Sequence, residues 1–221
     1  MASLTLIRGA DLVAAPWKNG GGVTREVASV CADGLPVGRS PRAGLDGFVW
    51  RVSVADVAQA GPFSHFEGVD RTLILLSGAG MILDERDAPK EASLEDAPQA
   101  VKSHALTQPL DIARFSGEAH IDARLVDGAT RDFNLMVRRD AAHGEVEVWR
   151  GQPQQEAQRT LSADVVLLFC ASGSITITPG DAQLLSLDTG DTLRIDTPNA
   201  LRCALAGAGA VLAISIRYTP Q

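Results

Sequence analysis

The sequence predicts an all-β protein built as two packed β-sandwich, jelly-roll units with few short helices. Three observations predict it. Short apolar runs recur between Gly, Pro, Asp and Asn at spacings of about 8–12 residues, the rhythm of a sandwich or barrel. Helical periodicity is scarce. A strand–turn–strand unit near residue 70 can be laid over another near residue 164.

Along the chain, residues 48–57 (FVWRVSVADV) alternate, with Trp50, Val52 and Val54 on one face and Arg51, Ser53 and Ala55 on the other. The continuous apolar run at 72–76 fits a strand covered on both sides. Gly78 and Gly80 turn the chain before Met81-Ile-Leu83. Further strands are expected at 110–115, 119–126, 133–138, 145–150, 164–170, 174–178, 183–187, 192–195, 201–205 and 210–218. Weak helical signals lie at 94–106 and 153–161, and 33–47 and 84–104 read as loops. Asp70-Arg-Thr-Leu-Ile-Leu-Leu-Ser-Gly-Ala-Gly-Met-Ile-Leu83 aligns with Asp164-Val-Val-Leu-Leu-Phe-Cys-Ala-Ser-Gly-Ser-Ile-Thr-Ile177 as an internal repeat. The expected units are 1–140 and 141–221, with strands exchanged between them.

Composition narrows the function. Of 221 residues, 45% are hydrophobic, enough for one large or two small cores. A net charge of −7 argues against nucleic acid or an anionic membrane as main partner. No apolar run reaches the ~18 residues of a membrane span. The N-terminus lacks the basic and apolar regions of a signal peptide. Cys31, Cys170 and Cys203 are odd in number and widely spaced, which reads as buried thiols in a cytoplasmic protein.

Three clusters could carry chemistry. The first is Pro16-Trp-Lys-Asn-Gly-Gly-Gly-Val-Thr-Arg-Glu26. Consecutive glycines permit positive φ and close backbone approach, and such a turn can aim N–H groups at an anion. Lys18, Asn19 and Arg25 add donors, Trp17 a flat apolar surface, and Thr24 and Glu26 share one strand face. The same residues also read as a glycine hairpin with solvated charges. The second cluster is Arg51, Ser53 and Asp56 with His65 in the Gly61-Pro-Phe-Ser-His-Phe-Glu-Gly-Val-Asp-Arg71 segment; His65 reads as a general base or as a loop histidine. The third is Asp132 and Asn134, which share a face opposite Phe133 and Leu135, and which equally suit turn and edge polarity.

A metal-binding cupin needs two histidines one residue apart, a nearby carboxylate and a later histidine. His65, His104, His120 and His143 contain no such pair, so neither a metal nor another cofactor is expected. No Gly-x-Ser-x-Gly elbow is present.

Several blocks together carry a family resemblance. Residues 16–26, Trp50-Arg-Val-Ser-Val-Ala-Asp56, Gly61-Pro-Phe-Ser64, Phe66-x-Gly68-x-Asp70-Arg71, Leu75-Leu-Ser-Gly78 and Leu125-Val-Asp-Gly-Ala-Thr-Arg-Asp-Phe-Asn-Leu-Met136 occur in order. They resemble the HutD/Ves family. The resemblance implies a bicupin without the metal histidines. It also implies an association with histidine utilisation or, in the Ves branch, stress responses, and a small carboxylate or formyl product of histidine breakdown as ligand. Carried over, the pocket candidates are Trp17, Lys18, Asn19, Thr24, Glu26, Arg51, Ser53, Asp70, Arg71, Asp132 and Asn134.

Three readings follow. The first and favoured one is a metabolite-binding, regulatory protein in which Lys18 and Arg51 clamp a carboxylate. The second is a cofactor-free isomerase or hydrolase with Glu26 or Asp132 as base and Lys18 or Arg51 stabilising an oxyanion. The third is a structural protein whose first-half block, with Trp17 and Phe66, forms a homodimer surface.

Overall fold

The computed structural model describes residues 2–31, 47–86, 100–152 and 155–220. Its strands, in chain order, are β1 (Ser3–Ile7), β2 (Ala14–Pro16), β3 (Gly22–Cys31), β4 (Phe48–Val57), β5 (Gly61–Pro62), β6 (Val69–Ser77), β7 (Met81–Arg86), β8 (Ala100–Leu106), β9 (Ile112–Ser116), β10 (His120–Leu125), β11 (Thr130–Arg138), β12 (Ala142–Gly151), β13 (Ala157–Leu161), β14 (Val165–Pro179), β15 (Leu185–Asp188), β16 (Thr192–Asp196) and β17 (Leu201–Tyr218). Every strand pairing is antiparallel. The helical element among the described residues is one 3₁₀ turn at Gly9–Asp11.

Both helical expectations are corrected. Within 94–106, residues 100–106 form β8 against β7, and within 153–161, residues 157–161 form β13 against β17. Their polar composition comes from an exposed strand face; Gln158, Arg159 and Thr160 are all exposed. Parts of the expected loop 84–104 are strand at both ends. The remainder of it, and the loop at 33–46, lie outside the described residues.

The chain forms two compact units, Val13–Asp140 and Met1–Leu12 with Ala141–Gln221. The first unit has a six-stranded sheet, β2-β3-β4-β11-β6-β9, and a four-stranded sheet, β5-β10-β7-β8. Ala55, Val57, Leu73, Leu75, Ala113 and Phe115 of the larger sheet pack on Met81, Leu83, Leu106, Ile121 and Ala123 of the smaller one. Burying each large aliphatic side chain here contributes about 1.5–3 kcal/mol. Strands β4 and β11 are central and buried on both faces, because Trp50, Val52, Phe133 and Leu135 on the opposite side are also covered.

In the second unit β1 pairs β16, so residues 2–12 fold with residues 141–220. The pairing is fixed by charge. Arg8 Nη1 donates to Asp191 Oδ2 at 2.6 Å, and the Gly9 and Asp188 amides donate to the same carboxylate at 2.9 and 3.2 Å. Burial alone would raise the Asp191 pKa, but these donors together hold it below the usual range.

The expected strand pairs 164–170/174–178 and 201–205/210–218 prove to be two continuous strands, β14 and β17. The small residues between them let two paired strands approach closely at a bulge and do not form a turn. Gly173 has φ +75°, and a Cβ there would sit 2.1 Å from the Ala208 carbonyl oxygen. The ladder shifts register beside it, between Cys170 and Ser172. The internal repeat therefore differs in its middle: Gly78 and Gly80 end β6 and send β7 into the other sheet, whereas β14 runs on. The core of this unit is apolar and includes Trp149, Val166, Leu168, Ile175, Leu193, Ile195 and Val211. Cys31, Cys170 and Cys203 are buried, and burial pushes the thiols of the latter two up to about 11.

Asp191→Ala should lower unfolding stability by about 1–3 kcal/mol, because it removes a buried acceptor that takes three hydrogen bonds. In urea unfolding the midpoint should fall with an unchanged m-value.

Candidate functional site

The glycine run turns β2 into β3. The Trp17 amide donates to the Gly22 carbonyl at 2.9 Å, the Gly20 amide to the Trp17 carbonyl at 3.0 Å, and the Gly21 amide to Asn19 Oδ1 at 3.0 Å. Gly20 has φ +72°. A Cβ on Gly22 would lie 2.6 Å from the Asp56 carbonyl oxygen and 3.0 Å from the Trp17 ring. The turn thus seats the indole on bare backbone, where Nε1 donates to Thr24 Oγ1 at 2.7 Å. Lys18 and Asn19 stay exposed at its tip, and the Asn19 side chain is spent on the turn itself.

The inner face of the six-stranded sheet is set by register. Thr24 lies opposite Ala55 and Glu26 opposite Ser53. Val27 is an extra residue, a β-bulge, after which Ser29 lies opposite Arg51. On β11, Asp132, Asn134 and Met136 lie opposite Ala55, Ser53 and Arg51 of β4, and opposite Leu75, Leu73 and Arg71 of β6. On β9, Phe115 lies opposite Arg71. Directly opposite residues point the same way. Thr24, Glu26, Ser29, Arg51, Ser53, Arg71, Asp132 and Asn134 therefore face the same side as Ala55, Val57, Leu73 and Leu75, which is the side packed on the second sheet.

Within this set Arg51 is committed. Its Nε donates to Glu26 Oε2 at 2.8 Å, and Ser29 Oγ donates to Glu26 Oε1 at 2.6 Å. Arg71 is different. It is 7% exposed, with its guanidinium carbon 5.0, 5.8 and 5.1 Å from the ring centroids of Phe63, Phe66 and Phe115. Nη1 makes a long 3.4 Å bond to the Ser64 carbonyl, and Nε has no hydrogen-bond partner. Among the described residues no carboxylate lies within ion-pair distance of it. Burial and the nearby Arg51 pull its pKa down to about 10, against the pull of Asp132, so it remains a cation at neutral pH.

Asp132 is 2% exposed. Burial raises its pKa to about 7; Arg71 opposes the rise and Asp56 adds to it. Asn134 Oδ1, on the same strand face, is buried without a partner. His104 of β8 lies opposite Leu83 and 6.3 Å from the Phe115 ring. Burial and Lys102 lower its pKa, with Glu85 opposing. The unit therefore buries a cation, an acid that titrates near neutrality and an amide oxygen with unmet capacity on one face.

Other predicted residues lie elsewhere. Asp70 is exposed and pairs with Arg139 at 2.8 Å. Arg25 and Arg131 share Asp56 on the outer face at 2.5 and 2.6 Å. His65 is exposed, with its ring 5.8 Å from that of His120. No group of three or more His, Cys, Asp or Glu suited to a metal occurs among the described residues. Phe63, Phe115, Ser29 and His104 were not among the candidates. Alternation from Ala113 gives the face of Phe115, but only the pairing of β9 with β6 reveals that it lies over Arg71.

The HutD family model matches residues 9–213. An uncharacterised 21.2 kDa protein in the hutC 3′ region of Pseudomonas putida is 33% identical over 196 residues, 89% of this chain and 88% of that protein. HutD from Pseudomonas fluorescens SBW25, solved in a formate condition, superposes with a TM-score of 0.76 at 26% identity, over 99% of this chain and all of that one. A formate complex of Lactobacillus farciminis oxalate decarboxylase, at 9% identity and TM-score 0.59 over 98% of this chain and 86% of that one, shares the fold alone. That fold is the cupin fold.

Two outcomes follow from the geometry. Gly22→Ala should cost about 1–3 kcal/mol by overpacking against Trp17 and Asp56, read by thermal or urea unfolding. The raised pKa of Asp132 means the folded state keeps a proton that the unfolded state releases above its ordinary 3.8. Its contribution to stability is therefore complete below that value and is lost as pH rises to about 7. Asp132→Asn should gain on wild type by on the order of 1–3 kcal/mol between pH 5 and pH 8 in urea unfolding; a constant difference would contradict the assignment.

Proposed function

This chain belongs to the HutD family, and from that premise we propose that it binds a small carboxylate or formyl metabolite inside its 13–140 barrel, without a metal or other cofactor, in a regulatory role. The observation that carries this reading is Arg71: a buried cation that, among the described residues, has no carboxylate partner and no acceptor for its Nε donor. An incoming carboxylate would supply a charge-assisted hydrogen bond where the protein supplies none. Asn134 Oδ1 would accept from an N–H or O–H of the ligand, and Phe63, Phe66 and Phe115 would cover its apolar edges. Arg51, Glu26 and Ser29 would form a fixed wall, and Trp17 and Thr24 would hold the end of β3. Lys18, Asn19 and Asp70 stand outside this arrangement.

The names of the relatives, HutD and a protein beside hutC, support histidine-breakdown products as first candidates. We place the protein in the cytoplasm, with no role on nucleic acid or membrane and with a homodimer as an allowed state. Among the described residues no helix is long and apolar enough to cross a membrane.

One observation favours a second reading. Asp132, buried and titrating near neutrality beside a cation, has the properties of a general base in a cofactor-free isomerase or hydrolase, with Arg71 stabilising the developing anion. Turnover of histidine-pathway intermediates by pure protein, abolished in Asp132→Asn, would establish it.

Calorimetric titration with formate, urocanate and formylglutamate tests the binding reading. At least one should bind, Arg71→Met should weaken it by about 10–100-fold, the loss of one charged hydrogen bond, and Lys18→Ala should leave it unchanged. Equal affinity in wild type and Arg71→Met would overturn the assignment.

A further inference from the structure

The inner face holds two cations and two carboxylates, but they are not equivalent. Glu26 is held by Arg51 and Ser29, so this pair is neutral and satisfied. Arg71 has no bonded carboxylate among the described residues, and the acid that feels its charge is Asp132, on the neighbouring strand of the same face. A ligand carboxylate that bonds Arg71 would place a second anion on the same buried face as Asp132, within the field of one available cation. Two buried carboxylates cannot both stay ionised against one cation at low cost; one of them takes a proton.

Among the described residues, the other charged groups of this unit named here are already balanced or disfavoured. On β4, Arg51 is neutralised by Glu26 of β3. On β6, Arg71 is the cation in question. On β8, His104 is disfavoured as a cation by burial and by Lys102, with Glu85 of β7 3.9 Å away. On the outer side of β4, Asp56 is shared by Arg25 and Arg131 and adds to the pressure against a charged Asp132.

We infer that carboxylate binding in this barrel is proton-linked: the ligand's charge neutralises that of Arg71, and Asp132 takes up one proton from solvent in the same event. The ligand enters as the anion, the proton goes to a carboxylate oxygen of Asp132, and no bond in the ligand is made or broken. The inference rests on the binding reading above. It makes Asp132 a positioning residue for charge, which sets the pH range over which the site fills.

The experiment uses the full chain and isothermal titration calorimetry with formate and formylglutamate, whose acids stay ionised throughout pH 5.5–8.5, and with urocanate after subtraction of its own imidazole titration. The association constant should be level at the acid end and fall by about tenfold per pH unit above the titration of Asp132. At pH 8, heats compared between buffers of different ionisation enthalpy should show uptake of about one proton per ligand. In Asp132→Asn the affinity should be level across the range and the proton uptake should vanish. The proton count in wild type needs no variant, so misfolding of Asp132→Asn would not spare the inference. Binding with level affinity and no proton uptake in wild type overturns the linkage and leaves the site intact. No heat from any of the three at any pH overturns the site, and the linkage with it.

Discussion

A guanidinium cannot be taken out of water cheaply. Desolvating one costs several kcal/mol even after the protein relaxes, and much of the first barrel is arranged around meeting that cost at Arg71. Three phenyl rings present their faces or edges to it, each contributing on the order of 1 kcal/mol. Two of these rings come from the segment between β5 and β6, which is itself tied down by the Phe63 amide donating to Ile121 and the Phe66 amide donating to Gly117, at 2.8 Å each. The third ring lies opposite Arg71 in the ladder. None of the described residues gives Arg71 a bonded anion, although Glu26 and Arg51 form a bonded pair on the same face. The difference between the two arginines defines the candidate site.

The second unit shows what the architecture looks like without that demand. Its core residues are apolar, from Val166 and Leu168 to Ile195 and Val211, its buried carboxylate, Asp191, is fully engaged by Arg8, Gly9 and Asp188, and the buried Thr192 hydroxyl lacks a partner. One unit is packed for stability. The other gives up packing on one face for polar groups with unmet capacity, a pattern that marks binding sites better than fold does.

The all-β architecture was legible because strand alternation is local: Arg51 with Ser53 and Asp132 with Asn134 could be assigned to faces by counting. Which of those faces closes on a second sheet is set by pairing among β4, β11 and β6, and neighbouring residues along the chain carry little of that information. The placement of Phe115 opposite Arg71 and of His104 opposite Leu83 is not legible along the chain for this reason. Lys18 and Asn19 drew attention because a glycine turn flanked by donors suits an anion, yet the turn spends Asn19 on its own backbone and serves Trp17. The polar strands β8 and β13 imitated helix because an exposed strand face carries no apolar repeat. The small residues at 171–173 imitate a turn because a close approach of two paired strands and a turn both require small side chains.

The bulge at Val27 has a consequence for how this protein tolerates change in its length. Residues three apart on a regular strand point to opposite faces, so Glu26 and Ser29 can meet only because one residue between them is uncounted by the partner strand. Removing that one residue would hardly shorten β3, but it would turn one half of the strand over relative to the other. Either the turn that seats Trp17 or the strand's buried end would then face the wrong way. Insertions and deletions at this point are thus far more restrictive than substitutions, and variation among relatives should appear here as exchange of side chains at constant length.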